Sequence, residues 1–261
     1  GQVIGTHTDW FDSGSGPVIT NGNGLLSSKG LAPGSSIFTW NAHPFNWNDP
    51  GFESITFRMD YQTNASGYFD DDRMGWMTTT ANADSANFFG VQLDTVSGGD
   101  GGIVTYWRDD TDTRIQTPIV ALGALSANTW YRLEAEITKL TDTSARIDVN
   151  LVRLDASGNP TGTSYTGTLD DTSLWADGAP DLSYFTATNM WPAYKNHNGT
   201  TGAADNTCYD ISSGSFAFLV SSDWHTSDSN PNADITAKAQ QMANWVNNPT
   251  SDMPAPEFMV L

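Results

Sequence analysis

The sequence predicts a mainly-β protein built as an antiparallel sandwich, and three observations point there. Apolar and polar residues alternate with period two in several segments, clusters of Gly, Asn and Asp bound those segments, and only 16% of the 261 residues are charged. Such a composition favours turns and short strands over long surface helices.

Residues 54–61 place Ile55, Phe57, Met59 and Tyr61 on one face, the pattern of a half-buried strand. A polar loop leads to a second such segment, Phe88–Asp94. The longest alternation covers 129–140, where Tyr131, Leu133, Ala135 and Ile137 interleave with Trp130, Arg132, Glu134 and Glu136. Ala145–Leu154 repeats it, with Ile147, Val149, Leu151 and also Val152 assigned to the inner face. Asp155-Ala156-Ser157-Gly158-Asn159-Pro160 supplies turn chemistry, and 161–169 completes a hairpin meander.

The pattern changes after Asp210, where Ser212-Ser213-Gly214-Ser215 reads as a linker. The expected organisation is a sandwich over 1–211 and a second unit over 212–261. In that unit 216–220 is a continuous apolar run, as in a strand buried on both faces. Residues 234–246 have helical spacing ended by Asn247-Asn248-Pro249, and 258–261 reads as another buried strand, so the order is β-α-β.

Charge narrows the choice of partner. The chain carries 11 basic and 30 acidic residues, for a net charge of -19, which disfavours nucleic acid and anionic membrane surfaces. No apolar run approaches the ~18 residues of a membrane span, so no membrane insertion is expected. Cys208 is the single cysteine and has no partner for an internal disulfide. Low lysine content and abundant Asn, Thr and Gly suit an exported bacterial protein from which a signal peptide has been removed, so a secreted, extracellular location is the expectation.

Ten tryptophans are many for this length, and Trp10, Trp40, Trp47, Trp76, Trp107, Trp175 and Trp191 lie in polar, loop-like surroundings. An exposed indole stacks on the C–H face of a sugar while nearby Asn, Asp and Gln side chains bond its hydroxyls. The expected ligand-binding residues are therefore Trp40, His43, Trp47, Trp107, Trp191 and Tyr194. The segments that hold them, 40–49 and 189–197, equally suit the capping of one end of a sandwich.

Glycoside hydrolysis requires two carboxylates, and Glu134 and Glu136 are the candidate catalytic pair: two apart on a strand, they share a face ~6.5–7 Å apart, with Asp148 on the next strand. The same spacing describes the solvent face of an ordinary amphipathic strand. Calcium is the expected cofactor, because Asp70-Asp71-Asp72 and Asp109-Asp110-Thr111-Asp112 gather carboxylate oxygens on loops, though neither is an EF-hand and solvated acidic turns read the same way. His7, His43, His197 and His225 are too scattered for a zinc site. The chain contains no serine-hydrolase elbow, phosphate loop or dinucleotide fingerprint.

Two resemblances add to these readings. The run Ser126-Ala127-Asn128-Thr129-Trp130-Tyr131-Arg132-Leu133-Glu134-Ala135-Glu136-Ile137, with Ala145–Leu154 and the hairpin after it, resembles a concanavalin A-like jelly roll of the laminin-G or glucanase type. That resemblance implies a lectin, carbohydrate-binding module, glycoside hydrolase or polysaccharide lyase without choosing among them. The Glu-x-Asp-x-x-Glu strand motif of laminarinase-like enzymes is absent.

The run from Phe216 to His225, followed by the helix and Glu257-Phe258-Met259-Val260-Leu261, resembles the opening of a calcineurin-like metallophosphoesterase. By that resemblance Asp223 and His225 are metal ligands, but two ligands make an incomplete two-metal site, so phosphoesterase activity is not expected of this chain. The integrated expectation is binding of a neutral polysaccharide or oligosaccharide by a secreted sandwich. The alternatives are a glycoside hydrolase using the Glu pair and a structural or adhesive module. Self-association through the C-terminal segment is expected from its unpaired apolar strands.

Overall fold

The computed structural model describes residues 2–3, 10–12, 18–21, 29–31, 38–40, 44–49, 51–78, 88–95, 101–108, 114–172, 182–186, 189–195 and 204–213. The chain divides into two compact units, Gly1–Ser212 and Ser213–Leu261. The predicted β-α-β segment, with Asp223 and His225, lies outside the described residues.

The described strands are β1 (Gln2–Val3), β2 (Trp10–Asp12), β3 (Val18–Asn21), β4 (Lys29–Leu31), β5 (Phe38–Trp40), β6 (Phe52–Gln62), β7 (Asp72–Met77), β8 (Phe88–Asp94), β9 (Gly102–Arg108), β10 (Arg114–Ala121), β11 (Trp130–Lys139), β12 (Ala145–Leu154), β13 (Pro160–Leu169), β14 (Trp191–Lys195) and β15 (Ala204–Ser213). One sheet runs β1-β3-β4-β15-β6-β11-β12-β13, the other β10-β9-β8-β7-β14-β5-β2. Among the described strands the chain crosses between sheets at β1–β2, β2–β3, β4–β5, β5–β6, β6–β7, β10–β11, β13–β14 and β14–β15, so late strands sit among early ones. The antiparallel sandwich expected from the alternation is the architecture.

The main core cluster draws on both sheets: Ile55, Phe57, Met59, Leu133, Ala135 and Ile137 from the first, Met74, Trp76, Phe89, Val91, Leu93 and Trp107 from the second. Trp76 is central. Its ring lies 4.6 Å from Phe89 in its own sheet and 6.4 Å from Phe57 across the sandwich. Its indole N–H donates to the Phe185 carbonyl at 2.8 Å, so burial leaves no orphan donor. Each side chain of this kind contributes about 1.5–3 kcal/mol by leaving water.

Turn chemistry fixes the meander. Between β12 and β13, Asp155 N–H donates to the Asn159 carbonyl at 2.9 Å, and Gly158 takes the left-handed φ of 81° that the turn needs. The Asp155 carboxylate accepts from the Ser157 and Asn159 amides at 2.8 and 2.9 Å. The Asn159 amide foremost, these bonds hold its carboxyl below the ordinary range. Val152, assigned to the inner face, is buried although it pairs with outward-facing Arg132, and an irregularity between Val152 and Leu154 keeps Leu154 buried as well.

Gly75 and Gly90 are direct partners on β7 and β8. A Cβ on Gly75 would collide with the Phe89 carbonyl and sit 2.6 Å from Gly90 Cα, and one on Gly90 would meet Gly75 Cα at 2.7 Å. The two strands approach this closely because neither residue has a side chain there. Gly75→Ala is expected to lower stability by about 3 kcal/mol, read as a fall in the urea midpoint at unchanged slope; a wild-type midpoint would contradict the packing described.

Candidate functional site

The first sheet turns its other face to solvent. On β11 the buried series Tyr131, Leu133, Ala135 and Ile137 leaves Trp130, Arg132, Glu134 and Glu136 pointing outward, as the alternation predicts. Register extends that face sideways. Thr56, Glu136, Asp148 and Thr168 form one row across β6, β11, β12 and β13, and Arg58, Glu134, Asn150 and Thr166 form the next. Rows lie ~6.8 Å apart and strands ~4.8 Å apart, so eight polar or charged side chains converge on one patch.

These rows, Arg58 excepted, line a groove of about 410 Å³, within the range of small-ligand sites. Glu134 accepts from Arg58 Nε at 2.6 Å and Nη2 at 2.5 Å. Asp148 accepts from Arg146 Nε at 2.8 Å and Nη2 at 3.1 Å, and from the Thr168 hydroxyl at 2.5 Å. Its hydrogen bonding to Asp148, together with the charge of that carboxylate, raises the exposed Arg146 guanidinium above its ordinary value. Glu136, exposed, accepts from the Ser54 hydroxyl at 3.0 Å. The sequence brought Glu134, Glu136 and Asp148 together; it missed Thr56, Asn150, Thr166 and Thr168, whose signal was their alternation on neighbouring strands.

Just beyond the groove, Asp60 is fully buried on the same face. Arg132 donates to it twice, at 2.8 and 3.0 Å, and Asn206 Nδ2 donates at 2.7 Å. This arrangement satisfies a buried charge and ties β15 to β6 and β11.

The outward face of the second sheet is built differently. Arg73 and Lys195, each 3% exposed, both pair with Asp71, Lys195 at 3.0 Å. Arg73 Nε donates to Gln92 at 2.8 Å, and its guanidinium lies 3.8 Å from the Tyr106 ring centroid. Burial pushes the Asp71 carboxyl up, but the Arg73 and Lys195 cations outweigh it and hold Asp71 below the usual carboxylate range. The network is interlocked, its two cations buried and Asp71 half-buried.

Three of the six predicted ligand-binding residues occupy the interior. Trp47 has no exposed surface and packs on Phe52 at 5.1 Å and Trp76 at 5.7 Å. Trp107 is equally buried, 5.3 Å from Phe185. Tyr194 is buried against Phe57 at 6.0 Å, its hydroxyl donating to the Cys208 carbonyl at 2.9 Å; burial raises its pKa well above the ordinary value. These three are core residues, because a polar sequence neighbourhood does not report what packs over a side chain. Trp191 is half-buried at the start of β14, opposite Met77. Trp40 pairs with Trp10 between β5 and β2, its side chain outside the description, and His43 lies outside the described residues. Of the acidic loops, Asp109-Asp110-Thr111-Asp112 also lies outside them. Among the described residues no three His, Cys, Asp or Glu side chains are grouped to hold a metal ion.

No family model matches the chain, and no curated protein matches it. Among solved structures it is similar to a marine alginate lyase from Aplysia kurodai at 11% identity, covering 80% of this chain and 90% of that one with a TM-score of 0.40. It is similar to a CBM2 module of the evolved Dit protein of Lactobacillus casei BL23 phage J-1 at 12% identity, 81% and 94% coverage and a TM-score of 0.36. An endo-β-1,4-glucuronan lyase from the fungus Trichoderma reesei gives 8% identity, 81% and 97% coverage and a TM-score of 0.33. Likenesses of this size transfer neither substrate nor activity to this chain.

The Asp71 network sets a pH dependence. Because the folded carboxyl is depressed, its stabilisation is present above the unfolded value near ~3.9 and is lost as pH falls through the lower folded value. Asp71→Asn leaves two buried cations short of their shared carboxylate and should cost about 3 kcal/mol at neutral pH. Chemical denaturation across pH should show the gap to wild type narrowing below about pH 4; a gap constant with pH would refute the assignment.

Proposed function

We propose that the protein binds a polysaccharide lacking acidic groups, laid across the outer face of the eight-stranded sheet at the Glu134/Glu136/Asp148/Asn150 groove. The observation that carries this reading is the groove itself: about 410 Å³, open, and walled by hydroxyl, amide and carboxylate groups from four adjacent strands. Sugar hydroxyls both donate and accept, and such a wall offers acceptors and donors at strand and row spacings. Rigid strands hold these groups in place, so little ordering cost falls on binding. The net charge of -19 disfavours acidic glycans.

Contact here is by hydrogen bonding rather than by the aromatic stacking expected from Trp47, Trp107 and Tyr194. Trp130, half-buried on the same face of β11, is the indole placed to extend the contact along the strand. Binding is favoured over hydrolysis because a general acid working near neutral pH needs apolar enclosure. Glu134 is instead bonded to Arg58, and Glu136 stands open to water.

The test is depletion of the protein by a panel of insoluble glucans, mannans, xylans, chitin and chitosan, followed by titration with soluble oligosaccharides of whichever binds. Asn150→Ala combined with Thr166→Val removes two polar contacts from the wall and should weaken binding by about tenfold or more, with no oligosaccharide released by either protein. Failure of every panel member to deplete the protein, or wild-type affinity in the double variant, would contradict the proposal.

A further inference from the structure

The groove has more acceptors than donors. Of its three carboxylates, Glu134 is matched by Arg58 and Asp148 by Arg146. Glu136 has no ion pair of its own: its hydrogen-bond partner is the neutral Ser54 hydroxyl, and its charge reaches Arg146, already paired to Asp148, only through space. Its carboxylate stands exposed with neutralised Asp148 beside it in the row Thr56, Glu136, Asp148, Thr168 and neutralised Glu134 in the next row. A second acceptor is also unsatisfied. Asn150, in the adjacent row on the same wall, has its side-chain oxygen buried with no hydrogen-bond donor. The hydroxyl of Thr168, one of the wall's own donors, is already spent on Asp148 at 2.5 Å.

A ligand that completes this wall brings donors and a positive charge. Plain sugar hydroxyls supply donors without charge, and acetylated amines supply one N–H, also without charge. An ammonium group supplies three donors and a full positive charge at one point, the complement of a lone carboxylate beside an unfilled amide oxygen. The excess of a single negative charge sits in a chain whose overall field attracts cations and repels anions.

Resting on the polysaccharide reading above, we infer that the groove selects a glycan bearing free amines, a deacetylated hexosamine polymer such as chitosan, with the ammonium of one residue paired to Glu136. Ammonium and carboxylate meet at a partly exposed surface, so the selectivity is salt-sensitive and weakens as ionic strength rises. It also fades as the sugar amine loses its proton at alkaline pH.

The test is calorimetric titration of the whole chain with matched glucosamine and N-acetylglucosamine oligomers and a cello-oligosaccharide, at low and high salt. The expected result is at least tenfold tighter binding of the free-amine oligomer at low salt, with that preference lost in Glu136→Gln. Glu53→Gln makes the same charge change at an exposed residue of β6 outside the groove and should keep the preference. Equal affinity for the three oligomers, or an undiminished amine preference in Glu136→Gln, overturns this inference while leaving the polysaccharide reading in place. Absence of binding to all three and to the wider panel overturns both.

Discussion

The register of β11 against β6 and β12 is the constraint on which the rest of the molecule depends. From Leu133 opposite Met59 and Leu151 to Ile137 opposite Ile55 and Ile147, the pairing keeps each apolar residue beside an inward-facing neighbour. A slip of one residue would send Leu133, Ala135 and Ile137 into water and bring Glu134 and Glu136 into the core. The burial of Leu133 and Ile137, each fully inaccessible, therefore positions the carboxylates as firmly as it stabilises the sheet. Core and groove are two sides of one alternation.

The two outer faces answer the problem of charge on a sheet in opposite ways. On the seven-stranded sheet Arg73, Lys195, Gln92 and Tyr106 are buried, where an ionised group persists only if it is paired, and both cations are bound to half-buried Asp71. On the eight-stranded sheet water reaches Glu134, Glu136 and Asp148, and an acceptor left without a protein partner costs little. The open face can hold unsatisfied valence for a ligand; the buried one cannot. The Asp60, Arg132 and Asn206 cluster marks the border between the two regimes, a fully buried carboxylate with three donated hydrogen bonds.

Much of this was legible in the sequence because period-two alternation is a local property. Phe88–Asp94 and Ala145–Leu154 are strands at their expected bounds, and the turn at Asp155 to Asn159 uses the residues whose chemistry announced it. The Glu134/Glu136 pair and its neighbour Asp148 followed from the same spacing. The tryptophans were illegible for a complementary reason. Trp47 sits among Asn and Asp in sequence, but the surface that covers it comes from Phe52 and Trp76, and no local window contains that information. Asp71 likewise read as one of three loop acids, either calcium ligands or solvated, whereas its partner Lys195 lies 124 residues away. Asn150, Thr166 and Thr168 were hidden because small polar residues on a strand carry no signal until register sets them beside the carboxylates.

In the proposed function the outer face of the eight-stranded sheet holds the glycan. Backbone amide chemical shifts, followed as an oligosaccharide that binds is titrated into the labelled chain, test this most directly. The account predicts shifts confined to residues 56–58, 134–136, 148–150 and 166–168, on four neighbouring strands of that sheet. Shifts centred instead on Arg73, Gln92, Tyr106 and Lys195 would contradict it and move the site to the opposite side of the sandwich.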